Sequence, residues 1–224
     1  MKLFVFLLLI SIVLSGCPGK ITHEGCDFPY YKFTMPVSFE PGDSIIHVGD
    51  TVTVTSKISR FMKDDNSHYT FDFDSIDFYN GLVFDKLDTL FSPQQYLQTI
   101  QEFDFIYDEK NNFKFGNNVI NFDYIYSGSE YYVKFKFIPK KKGIYLFEFN
   151  SLYSYSSLGR NKKVIFTDEK ECKTENWYPL FKTNNGNNFR EILKLSPRND
   201  YNNIYYTQWH KYNIEYGAHC FIVQ

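Results

Sequence analysis

The chain has 224 residues with 24 Lys and Arg against 26 Asp and Glu, a formal net charge of −2. That balance supplies no basic surplus for a nucleic-acid backbone, which demands clustered Lys and Arg. One residue in five is aromatic, yet Ala218 is the only alanine, so the 24 Phe and 19 Tyr read as AT-rich codon usage filling large apolar core positions.

Behind Lys2, the apolar run Leu3 to Leu14 is too short for the roughly 20 residues a membrane-spanning helix needs. It reads as the hydrophobic region of a secretion signal. The run ends in Leu14-Ser15-Gly16-Cys17, which resembles the lipobox of bacterial lipoproteins. The resemblance implies removal of residues 1–16, a diacylglyceryl thioether on the Cys17 sulfur and acylation of the new amino terminus. Buried acyl chains contribute about 0.8 kcal/mol per CH₂, so two or three of them make a lasting anchor. Pro18 stands where some lipoproteins carry an inner-membrane retention Asp, which points the expectation towards the outer membrane of a cell envelope.

Residues 17–28 read as a lipidated tether, and residues 29–224 as one β domain. In Tyr31 to Glu40, apolar residues at odd positions alternate with Lys32, Thr34, Ser38 and Glu40, the period of a half-buried strand. Pro36 places it at an edge or a bulge. After a Pro41-Gly42-Asp43 turn come a short strand, a Gly49-Asp50 turn and a strand with Val52, Val54 and Ile58 facing inward. Tyr69, Phe71 and Phe73 alternate in a further strand. Ser92, Pro93 and Gln95 look like the start of a helix whose apolar face is Tyr96, Leu97, Ile100 and Phe103.

Strand patterns resume at 103–107 and 119–126. The clearest hairpin follows, with alternation from Tyr131 to Phe137, a turn at Lys140-Lys141-Lys142-Gly143 and an apolar strand from Ile144 to Phe149. The three lysines read as a solvated tip rather than a phosphate site. Residues 162–166 and the final AHCFIVQ are strands; 173–217 form an irregular insertion, with 176–188 loop-like and a short helix before Pro197. The expected fold is all-β: an immunoglobulin-like antiparallel β-sandwich of seven to nine strands with one inserted helix and a partly helical segment before the last strand. In this the chain resembles Bacteroidetes-type envelope lipoproteins with an immunoglobulin-like domain.

With Cys17 given to lipid, Cys26, Cys172 and Cys220 remain for an oxidising compartment. The preferred pair, Cys172 with Cys220, sits beside strand-like runs and closes a loop of about 49 residues, worth roughly 4 kcal/mol in the chain-entropy account. No nucleophile elbow, phosphate-binding glycine loop, dinucleotide fingerprint or His-Glu-x-x-His pattern is present in the sequence, and the expectation is a protein without catalytic activity. Asp72, Asp74 and Asp77 are the candidate metal ligands, carboxylates on one strand face that suit a Ca²⁺ ion, or simply its acidic solvent face. Trp209 and His210 with Tyr205 and Tyr212 form a candidate aromatic platform for a sugar or a peptide, with packing in a core as the competing reading. The function expected is that of a lipid-anchored interaction or structural subunit of an envelope complex, with a surface glycan-binding accessory as the alternative.

Overall fold

The computed structural model describes residues 31–65, 70–74, 77–89, 99–150, 164–166, 171–172, 177–183, 188–197 and 217–224. The signal and tether (1–28), Cys26, the helix start at 92–98 and the Tyr205 to Tyr212 platform lie outside the described residues.

Alternation from Tyr31 to Glu40 produces strand β1; Ile45–Ile46 is β2, Val52–Ser59 β3, Phe61–Lys63 β4, Thr70–Asp72 β5 and Tyr79–Lys86 β6. Then come β7 (Phe103–Tyr107), β8 (Lys114–Phe115), β9 (Val119–Asp123), β10 (Ile125–Tyr126), β11 (Glu130–Pro139) and β12 (Gly143–Asn150). The last are β13 (Val164–Phe166), β14 (Glu171–Cys172), β15 (Trp177–Thr183), the helix α1 (Phe189–Leu193) and β16 (Ala218–Val223).

One sheet runs β10-β11-β3-β1-β15, with β7 also paired to β11; the second runs β2-β16-β12-β6-β9-β8. A small third sheet, β14-β13-β5-β4, extends from the bend at Arg60, where β3 passes into β4. The two larger sheets pack face to face as an immunoglobulin-like β-sandwich, and alternation explains why. Each inner face is a set of large apolar side chains at every second position: Phe33, Met35, Val37 and Phe39 from β1 meet Phe84, Phe147 and Phe221 from the second sheet. Across the interior, Phe137 and Phe147 stack with centroids 4.6 Å apart, and Phe39 stacks on His219 at 5.2 Å. The largest fully buried side chains are all Phe or Tyr, headed by Tyr131 and Tyr145, so much of the aromatic content is core.

Four features depart from the sequence expectation. Residues 177–183, read as loop, form β15, which pairs in parallel with β1 from Tyr31↔Trp177 to Val37↔Thr183. Its Pro179 and Asn-rich surroundings concealed a strand whose partner is far away in sequence. For the same reason β1 is not an edge: β15 holds its first part, β3 holds Val37 to Glu40, and Pro36 sits at the changeover, its carbonyl accepting from Ser56 Oγ at 2.8 Å. β6, with no period-2 signal because most of it is buried on both faces, is a central strand between β12 and β9. Finally, the expected helix reaches the described residues only as a 3-10 turn over Thr99–Glu102.

β16 also has two covered faces. His219, Phe221 and Val223 enter the main core, while Ala218 and Cys220 join a second cluster with Leu87, Leu146, Phe189 and Ile192 under α1. The Asn188 amide fastens α1 there, donating to the Cys220 carbonyl and accepting from its N–H, both at 2.8 Å. Cys220 is consequently a buried free thiol, and the expected Cys172–Cys220 disulfide is not formed. Its side chain belongs to the pocket under α1 in the second sheet, whereas Cys172 sits on β14 in the third.

Candidate interaction surface

On one flank of the sandwich both large sheets end in short strands. β7 hydrogen-bonds only to β11 and β8 only to β9 among the described residues, so each presents an unpaired edge. Between these edges lies an aromatic seam: Phe105 meets Phe115 at 5.2 Å, and Tyr107 meets Phe113 at 4.7 Å and Phe115 at 5.3 Å. Phe113 reaches inward to Phe122 and Phe135, which joins the seam to the core. Its outer part stays in water. Phe115 is 42% exposed and Tyr107 41%, where most large apolar side chains among the described residues are buried; Ile106, 54% exposed, lies on the other face of β7, opposite Lys136. Contiguous exposed rings beside free strand edges mark a surface fitted for contact.

The start of β7 is held rigidly. Glu102, the residue before it, accepts from Tyr145 Oη at 2.5 Å and Lys86 Nζ at 2.9 Å, with Lys141 Nζ at 3.6 Å. Burial alone would raise the Glu102 pKa, but the two hydrogen bonds and the lysine charges outweigh it and hold the carboxyl below its ordinary range. Burial, reinforced by that carboxylate, pushes the Tyr145 phenol up. Burial also raises Asp88, against the pull of Lys86. Lys140 completes the clamp, its Nζ 3.0 Å from Asp104 and its N–H donating to the Glu102 carbonyl at 2.8 Å. Two of the three hairpin-tip lysines are therefore engaged with acids of this chain, as a solvated tip would be.

The carboxylates singled out for a metal lie elsewhere. Arg60 grips Asp72 through two bonds of 2.5 Å and approaches Asp74 Oδ1 at 3.4 Å; Tyr126 also donates to Asp74 at 2.5 Å. The hydrogen bond to Asp72, together with the charges of both aspartates, pushes the Arg60 pKa up. Asp72 and Asp74 thus converge on a cation that the chain itself supplies, and Asp77 is exposed in the following loop. Among the described residues, no three His, Cys, Asp or Glu side chains gather as a metal site would require.

The structure places Asp72 and Asp74 together and Cys220 alone; Cys17, Tyr205, Trp209, His210 and Tyr212 fall outside the described residues. The seam of Phe105, Tyr107, Phe113 and Phe115 was not anticipated. Its sequence signal is the close succession of FDFIY and FKF, two aromatic runs too short to be central strands.

No family model matches the chain, and no curated protein matches it. Among solved structures the chain is similar to the second type II cohesin module from the cellulosomal adaptor ScaA scaffoldin of Acetivibrio cellulolyticus, at 11% identity and a TM-score of 0.32, covering 66% of this chain and 94% of that one. It is also similar to the type II cohesin A11 from Bacteroides cellulosolvens, at 13% identity and a TM-score of 0.28, covering 65% and 94%. A likeness this distant says nothing of partner or activity.

Proposed function

We propose that the chain is a lipid-anchored protein of the cell envelope, held in the outer membrane through Cys17, and that it is a non-catalytic interaction subunit. Its docking site is the flank where β7 and β8 end the two sheets, and its ligand is an extended segment of a partner protein. The observation that carries this reading is the exposed seam of Tyr107 and Phe115 beside two strand edges that are unpaired among the described residues. An added strand would satisfy the edge N–H and C=O groups of β7 while its side chains cover the rings. The seam is less suited to a sugar, because its rings are tilted by 42° to 49° rather than lying in one plane.

Two variants test the two parts of the reading. Cys17→Ser should abolish palmitate incorporation and release the protein from membranes. Tyr107→Ser with Phe115→Ser should keep both, and lose the envelope partner recovered with the wild-type chain. Continued acylation of the first, or an unchanged partner in the second, would overturn the corresponding part.

A further inference from the structure

The chain is slightly acidic overall, yet one broad face gathers several exposed lysines. The outer face of the sheet containing β1, β3, β11 and β15 carries Lys57, Lys134, Lys136 and Lys182, all exposed. The register brings them together: Lys134 lies opposite Thr55, Lys136 opposite Thr53, Lys57 opposite Tyr132 and Lys182 opposite Pro36. Lys134, Lys136 and Lys182 have no ion pair among the described residues, while Lys57 is 3.6 Å from Glu130 in an open pair. Glu40 at one end, Asp65, which accepts from Thr34 Oγ1 at 2.7 Å, and Asp104 at the flank, paired with Lys140, are further acids of this face. Half-exposed threonines, Thr53 and Thr55, fill the middle with hydroxyl donors. The outward positions of the opposite sheet carry Asp123, Glu148 and a single exposed lysine, Lys114, among the described residues, with Asp85 buried.

We propose that this lysine-and-threonine face is a docking surface for an anionic lipid bilayer, laid against the membrane that holds the lipid anchor. The inference rests on the reading of Cys17 as the lipidated residue. From Cys17 the chain reaches β1 over residues 18–30, which span at most roughly 45 Å even when fully extended. The strand it enters carries Lys32 on the same outer face. A short tether keeps the domain near the bilayer, and Lys134, Lys136 and Lys182 fit this face to a negative surface. A sheet of several strands, each about 4.8 Å from the next, is broad and level enough to set its lysines down together. With that face on the membrane, the β7 and β8 flank stands at the side, open to a partner.

The test uses the processed chain from residue 17 with Cys17→Ser, so that no acyl chain contributes. It is sedimented with phosphatidylcholine vesicles with and without roughly one third phosphatidylglycerol. The expected result is retention by the anionic vesicles alone, weakening as salt is raised. Replacing Lys134, Lys136 and Lys182 by Gln should reduce binding at least tenfold, given about fivefold per lysine near an anionic surface, with the thermal midpoint unchanged. Equal retention by neutral vesicles, no retention at all, a triple variant that binds like the parent, or tighter binding to a DNA duplex or to polyglutamate would overturn the proposal. Because the assay contains neither acyl chain nor partner, its failure is distinct from a failure of palmitate labelling or of partner capture.

Discussion

Tyr145 Oη lies 2.5 Å from Glu102 Oε2, joining β12 in one sheet to the residue that launches β7 at the edge of the other. The pair turns an end strand, which would otherwise be held only by β11, into a rigid shelf for Ile106 and Tyr107. Lys86 sits above the same tyrosine ring, 5.4 Å from its centroid, and closes the cluster from within the second sheet.

Removing the hydroxyl alone tests this clamp. Tyr145→Phe keeps the buried ring and leaves Glu102 one donor short, which should cost about 1–3 kcal/mol of unfolding free energy. Urea denaturation followed by fluorescence measures it. A midpoint equal to that of the parent would mean the contact is incidental.

The same cluster gives stability a dependence on pH. Glu102 titrates below its ordinary value of 4.5 in the folded state, so the unfolded chain binds its proton more readily. Its contribution is present above that value and is lost as pH falls through the lower, folded one. Glu102→Gln does not titrate. The stability gap between parent and variant should therefore be widest near neutrality and should narrow in acid. A gap that widens as pH falls would contradict the assignment.

Cys220 makes a chemical prediction. Burial holds its thiol protonated and packed under α1, so a maleimide should modify it only after unfolding. Peptide mapping without reduction should recover Cys220 unlinked. A peptide pair joined through Cys172 and Cys220 would refute this.

Arg60 predicts indifference to calcium. With its guanidinium between Asp72 and Asp74, added Ca²⁺ should leave the melting temperature where EDTA leaves it. A saturable rise with Ca²⁺ would restore the metal reading of Asp72, Asp74 and Asp77.

The strands with clear alternation, β1, β3 and β11, were legible because one face of each meets the core and the other meets water. β6 and β15 were not. The first has lost its period through burial on both sides, and the second is a strand only because β1, some 146 positions earlier, supplies its parallel partner (Tyr31↔Trp177). Arg60 beside two aspartates is equally non-local: the acids are plain in the sequence, while the cation that engages them enters from the preceding hairpin arm. The aromatic seam was hidden for a related reason. Periodicity tells which way Phe105 and Tyr107 point, but not that β7 and β8 are the last strands of their sheets.

Site-specific photo-crosslinking in the native envelope tests the central claim most directly. A photoreactive phenylalanine analogue is placed singly at positions 107, 115 and 134 of the otherwise unaltered chain. One discrete protein adduct is expected from positions 107 and 115, on the β7 and β8 flank, and none from position 134 on the lysine face. Adducts of equal yield from all three positions, or from position 134 alone, would contradict it.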